Sequence, residues 1–161
     1  MCLKTTQVPE ALFYHLTAHP LERALPTLIE RTLEKGWRAV VRASSTERIE
    51  FLDHLLWTYR DESFLPHGRA GEGFAEQQPI YLTTGDEIPN EADVLFVVDR
   101  SDTEDFSAVT RTIVMFDGAD DEAVAFAREQ WKRAAAAVTA TYWKQDGSGR
   151  WEKAAESTSA Q

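Results

Sequence analysis

Apolar positions along this chain switch between two periods. A short run over 12–16 has the β-favouring character of a first strand and leads into the turn sequence Thr17-Ala18-His19-Pro20. Leu21, Leu25, Leu28, Ile29, Thr32 and Leu33 then recur at helical spacing, with Pro26 tolerated in a first turn or at a kink and Gly36 closing the helix. A second strand is expected over 37–43. Behind it, Ser44-x-x-Glu47 reads as a capping box for a second helix with the stripe Ile49, Leu52, Leu55, Leu56 and Tyr59. Strand, helix, strand, helix is the rhythm of an α/β fold.

From 60 to 78 the periodicity fails, and Pro66, Gly68, Gly71 and Gly73 accumulate, so a long loop is expected there. Three apolar segments follow, over 80–83, 94–98 and 112–116. The second is apolar at consecutive positions, as a strand covered on both faces would be. Residues 102–109 read as a short helix or turn. Asp120 or Asp121 caps a third long helix reaching about Ala136, with acids at its start and Arg128, Lys132 and Arg133 in its second half. A strand is expected over 138–144, a turn at Asp146-Gly147-Ser148-Gly149, and a loose tail rich in Ala, Ser and Thr. With right-handed crossovers, these elements predict a three-layer, Rossmann-like domain with a mainly parallel sheet over 1–145 and a flexible segment over 146–161.

A length of 161 residues fits one core, and 43% hydrophobic and 11% aromatic residues argue against a disordered chain. The single Cys2 excludes an intrachain disulfide and a cysteine-based zinc cluster. With no secretory leader pattern and no apolar run longer than 94–98, the chain reads as soluble, cytoplasmic and free of membrane contact. The net charge of −10 is uneven: residues 61–110 hold twelve acids and two bases, and the remainder balances. Nucleic-acid affinity rests on cations that displace counterions from phosphates, so this balance disfavours direct DNA or RNA binding and favours a protein partner.

Motifs for catalysis and cofactors are missing. No glycine-rich turn ends in Lys-Ser or Lys-Thr, no Gly-x-Gly-x-x-Gly follows the first strand, and no Gly-x-Ser-x-Gly elbow occurs. The nearest approach to a phosphate loop is 67–73, from His67 to Gly73, which lacks a Lys and contains Glu72. His15 and His19 are four apart but lie on a strand and a turn, where that spacing does not bring imidazoles together around a metal. No cofactor and no metal are expected. The acids of 86–105 could include a catalytic pair, although a solvated surface is the plainer reading.

Two features remain. Val124, Arg128, Trp131, Lys132 and Ala135 share one face of the third helix, where two cations flanking a Trp could take an acidic peptide with an apolar anchor. The alternative is that Trp131 is core and the cations only complement the helix dipole. Trp57 and Phe64, at and beyond the end of the second helix, must either tuck into the core or serve a partner.

The stretch Leu56-Trp57, Glu62-Ser63-Phe64-Leu65-Pro66-His67, Ala70-Gly71-Glu72-Gly73 and Pro79-Ile80-Tyr81-Leu82 resembles the chi subunit of bacterial DNA polymerase III holoenzyme. Phe13-Tyr14, Gly36-x-x-Ala39-Val40, Asp93-Val94-Leu95 and Ala127-Arg128-Glu129-x-Trp131-Lys132 extend the resemblance over roughly 12–144. It implies a noncatalytic accessory protein of DNA replication whose Rossmann-like fold has no working nucleotide site. Such a protein would join the clamp loader through the psi subunit and bind the acidic, Phe-terminated tail of single-stranded-DNA-binding protein, touching DNA only indirectly. Carried over, the tail site falls on Arg128, Trp131, Lys132 and Val124. Trp131 stands where a Tyr is familiar, and Val124 where the best-known members place a Lys. The surface for psi, another clamp-loader component or a helicase-like protein falls on Trp57, Phe64, Pro66 and His67. Two other readings compete: a small Rossmann-like nucleotide-binding protein or enzyme using the His67 to Gly73 loop, and a direct nucleic-acid binder.

Overall fold

The computed structural model describes residues 8–58 and 66–157. Strand β1 (Glu10–Leu16) leads into helix α1 (Leu21–Glu34), β2 (Ala39–Arg42), α2 (Thr46–Thr58), the two-residue β3 (Gly68–Arg69) and β4 (Ile80–Thr83). Then come β5 (Val94–Val97), β6 (Arg111–Asp117), α3 (Asp121–Ala137), β7 (Thr139–Gln145) and β8 (Trp151–Ser157). The strands form one sheet in the order β3-β4-β2-β5-β6-β1-β7-β8. Every pair is parallel except β7 with β8.

Alternation along the strands divides the core. Leu16, Val41, Leu82, Phe96 and Met115 face α1 and α2, while Phe13, Val40, Leu95, Val114 and Ala140 face α3. Helices on both faces of a mostly parallel sheet make the three-layer Rossmann-like architecture read from the sequence. Strands β2, β4 and β5 are buried at every position, which explains their unbroken apolar runs.

Gly36 ends α1 as expected. At φ +76° it lets its own amide reach the Leu33 carbonyl at 2.9 Å and that of Trp37 reach Thr32 at 3.2 Å, so two otherwise unpaired carbonyls are satisfied. Pro26 lies inside α1 and not at its start, so the helix forgoes the bond to the Glu22 carbonyl. The cap of α2 is Ser45 and not Ser44: its hydroxyl accepts from the Arg48 amide at 3.2 Å, which moves Glu47 out of the position a capping box requires. Residues 102–109 form turns, pinned by buried Phe106 and Val109. Of the long loop, 66–78 contains β3 and a short 3-10 helix, Ala75–Gln77, while Tyr59 and Phe64 lie outside the described residues.

The expectation of a loose segment from 146 onward is corrected. The turn is real, with the Asp146 carboxylate accepting from the amides of Ser148 and Arg150. It closes a hairpin in which β8 pairs antiparallel with β7, and Trp151 packs edge-on against Tyr14 with ring centroids 4.6 Å apart. The sheet therefore continues to Ser157. An almost wholly exposed edge strand has no apolar alternation to betray it.

Candidate functional site

The seat of α3 is set by polar groups at its start and on its inner face. The Asp120 carboxylate accepts from the amides of Glu122 at 3.0 Å and Ala123 at 3.3 Å, satisfying donors that the helix leaves open. Ala123, Ala127 and Ala134 are small enough to let the helix lie close to the sheet, and all three are buried. Between them Gln130, only 1% exposed, donates from Nε2 to the Ser101 carbonyl and to Asp102 Oδ1, each at 3.0 Å. A buried amide with two fixed acceptors specifies the rotation of the helix.

That rotation carries Arg128 and Lys132 to the surface and leaves Val124, Trp131 and Ala135 half-buried against the core beneath α3. Trp131 is neither sealed nor free: its ring stands edge-on to Phe13 at 5.3 Å and to Tyr142 at 6.0 Å, with part of the indole open to solvent. Lys132 pairs with Glu129 at 3.2 Å, but both side chains are about 70% exposed and such a contact holds neither firmly. Arg128 forms no ion pair among the described residues.

Helical spacing could not show the opposite wall. Strands β1 and β7 lie side by side in parallel register, with Phe13 beside Tyr142 and His15 beside Lys144. His15 Nδ1 lies 2.6 Å from the Tyr142 hydroxyl, and the imidazole stacks edge-on to Phe116 at 5.2 Å. Burial holds the His15 pKa below its ordinary value; Lys144 and Arg128 push the same way and Asp117 opposes them. Burial likewise raises the Tyr142 hydroxyl, against the pull of Arg128. The site is thus a surface patch where α3 meets the β1/β7 wall, with half-buried rings at its centre and the exposed cations Arg128, Lys132 and Lys144 around them. Alternation of Phe13 with His15, and of Ala140 with Tyr142 and Lys144, is visible in the sequence, but the adjacency of the two strands is not.

The second predicted surface is only partly on view. Trp57 is 52% exposed at the end of α2. His67 has a fully buried side chain, with Nε2 2.8 Å from Asp53 and its ring 4.9 Å from that of Trp57. Its side chain thus sits beneath the indole, and of the expected partner surface Trp57 is the ring that reaches solvent. Pro66 is half-buried, and Phe64 lies outside the described residues.

A crevice lies at the carboxyl ends of β1, β5 and β6, where α/β sheets take ligands. It has a volume of about 720 Å³ and includes no residue of the His67 to Gly73 loop. Asp99 and Arg100, at φ +52° and +62°, turn their side chains apart across it. Asp99 accepts from Arg48 at 2.9 Å, and Arg100 binds Asp120 and Glu122. The α3 amides that would hold a phosphate are already capped by Asp120, and in the glycine loop Glu72 accepts from the Arg69 amide at 2.7 Å. The geometry that a nucleotide reading requires is therefore taken up by the chain's own carboxylates.

Several acids of 86–105 are likewise engaged in holding the fold. Glu87 accepts from Thr83 at 2.7 Å and Tyr81 at 2.8 Å; burial alone would raise its pKa, but these bonds leave it below the ordinary value, while burial and Glu87 push the Tyr81 hydroxyl up to about 12. Asp93 accepts from the Arg38 amide at 3.1 Å. Among the described residues no three His, Cys, Asp or Glu side chains are placed to share a metal ion, and no helix is long and apolar enough to cross a membrane.

A family model described as DNA polymerase III chi subunit, HolC, matches residues 8–141. A probable DNA polymerase III subunit chi from Rickettsia prowazekii (strain Madrid E) is 30% identical over 103 residues, covering 64% of this chain and 62% of the relative. DNA polymerase III subunit chi of Escherichia coli (strain K12) is 27% identical over 97 residues, covering 60% and 66%. The matched region thus spans less than two thirds of either relative. All of α3 lies inside the family match, whereas Tyr142, Lys144 and β8 lie beyond it.

Proposed function

This chain belongs to the DNA polymerase III chi-subunit family, and on that premise we propose that it is a noncatalytic accessory protein of the replicase that links it to coated template. In this reading the aromatic and cationic patch beside α3 binds the acidic, Phe-terminated tail of single-stranded-DNA-binding protein. The observation that carries it is the pairing of an exposed Arg128 with a half-open Trp131, whose indole rests on Phe13 and Tyr142. A terminal Phe can pack against a ring already held edge-on by two others, while Arg128 meets the carboxylates that precede it. Lys132 adds charge at the rim, where it speeds encounter more than it adds affinity. Val124, half-buried on the same helix face, adds apolar surface to the patch.

Trp57 supports a second contact, with psi or another clamp-loader component or with a helicase-like protein. It is a large exposed ring packed 4.9 Å from that of His67, which lies 2.8 Å from Asp53, and large aromatic rings are favoured as anchor residues of interfaces. The uneven charge of the chain leaves DNA contact to the coating protein.

Calorimetry of the full chain with the tail peptide tests the reading. Binding in the micromolar class is expected, lost when the last Phe is omitted and lost in Arg128→Glu, which should melt at the wild-type temperature because Arg128 is a surface residue. Unchanged binding by folded Arg128→Glu rejects the site.

A further inference from the structure

The wall opposite α3 carries chemistry that the helix face does not account for. His15 and Lys144 sit side by side in parallel register on β1 and β7, on the face covered by α3. The imidazole is seated rather than loose: Nδ1 is 2.6 Å from the Tyr142 hydroxyl, and the ring lies against Phe116. Its far side fills the place of a side chain. A Cβ on Gly118 would fall 2.0 Å from Nε2 and 2.3 Å from Cδ2, so only a glycine at 118 leaves room for the ring. Tyr142, its own ionisation disfavoured by burial, keeps its proton, and its hydroxyl can donate to a neutral Nδ1 or turn to accept from a protonated one.

Charge converges on the same spot. Arg128 from α3 and Lys144 from β7 both act on His15, Asp117 at the end of β6 opposes them, and Tyr142 is the remaining titratable neighbour. Neither Arg128 nor Lys144 is in an ion pair among the described residues, in a chain of net charge −10. Two unneutralised cations beside a neutral imidazole form a place for a carboxylate. Its arrival would screen both cations from the ring and put a negative charge next to it, reversing the part that Lys144 and Arg128 play in keeping the ring unprotonated, while burial, the larger influence, stays in place.

We propose that Lys144 faces Arg128 as a second ligand for a carboxylate of the bound acidic peptide, and that His15, seated on Tyr142, takes a proton from solvent when that carboxylate enters. The proposal rests on the peptide-binding reading above. His15 is a positioning residue in it, acting through Tyr142 and through its charge, and the peptide binds more tightly as pH falls through the His15 titration.

The test follows the His15 ring by proton NMR across pH in the unaltered full chain, free and saturated with an acidic, Phe-terminated peptide. Calorimetry in two buffers of different ionisation enthalpy counts the protons taken up. The expected result is a pKa raised by about one unit on binding, equivalent to a tenfold difference in affinity between the two protonation states. Fractional proton uptake near neutral pH should accompany it. Lys144→Ala should weaken binding by about three- to fivefold, and His15→Leu should bind with an affinity that no longer varies over that pH range. Peptide binding with an unmoved His15 pKa, or with Lys144→Ala at wild-type affinity, overturns the inference and leaves the peptide reading standing. A wild-type chain that does not bind the peptide overturns both.

Discussion

Replacing Gln130 by Leu tests how α3, which carries the Arg128 and Trp131 patch, is seated. The side chain is 1% exposed and donates to the Ser101 carbonyl and the Asp102 carboxylate, each at 3.0 Å. Leucine has similar bulk, so packing survives while both bonds vanish. Ser101 is itself buried, and its unpaired carbonyl costs about 2 kcal/mol. Asp102 keeps Arg133 at 2.7 Å and the Thr103 amide at 2.8 Å, and its side chain is 43% exposed, so its loss is smaller, about 1 kcal/mol after screening by water. The apolar side chain returns about 1 kcal/mol. The net is about 2 kcal/mol, or roughly 4–8 °C in Tm for a chain of this size. Urea denaturation followed by tryptophan fluorescence measures it, with Lys132→Ala as the control: its exposed pair with Glu129 should change stability by less than about 0.5 kcal/mol. Gln130→Leu as stable as the wild type would refute the claim that this amide fixes the helix.

Ending the chain after Gln145 removes the ladder of β8 and the contact of Trp151 with Tyr14; a loss of about 2–3 kcal/mol is expected in a thermal melt, and an unchanged melt contradicts the eight-stranded sheet. Gly118→Ala places a Cβ 2.0 Å from His15 Nε2 and 2.9 Å from the Leu16 carbonyl oxygen, so about 1–3 kcal/mol should be lost and the His15 resonance displaced from its Tyr142-bonded position. Burial alone would raise the carboxyl pKa of Asp102, but bonds from Arg133, Gln130 and Thr103 hold it below the ordinary value, and Glu87 behaves alike through Thr83 and Tyr81. Both bind fewer protons folded than unfolded in mild acid, so the stability they contribute is complete above the ordinary carboxylate range and drains away as pH falls through their lowered values. Denaturation midpoints across that range check this, and Glu87→Gln should flatten the dependence.

Elements governed by local chemistry were legible in the sequence. The 80–83 strand coincides with β4, Gly36 closes α1 by the geometry only a residue at positive φ allows, and Asp120 caps α3. Helical spacing likewise put Arg128, Trp131 and Lys132 on one face. What spacing could not decide was depth, because Trp131 is half-buried only through rings on two strands. His15, Phe116, Tyr142 and Lys144 join the site through the adjacency of β6, β1 and β7, a pairing over more than a hundred residues that leaves no local mark. Strand β8 was hidden because an exposed edge has no face to bury, and the burial of His67 was hidden because Asp53, 2.8 Å from its Nε2, lies on another element.

The most direct measurement is a titration of the isotope-labelled full chain with the acidic, Phe-terminated peptide, followed through backbone amide and indole N–H signals. The account predicts shifts gathered on 124–135 of α3 and on 142–144 of β7, with the Trp131 indole among the largest and the Trp57 indole still. Shifts centred on Trp57, or spread along the crevice beside Arg48 and Arg100 with Trp131 unmoved, would contradict it.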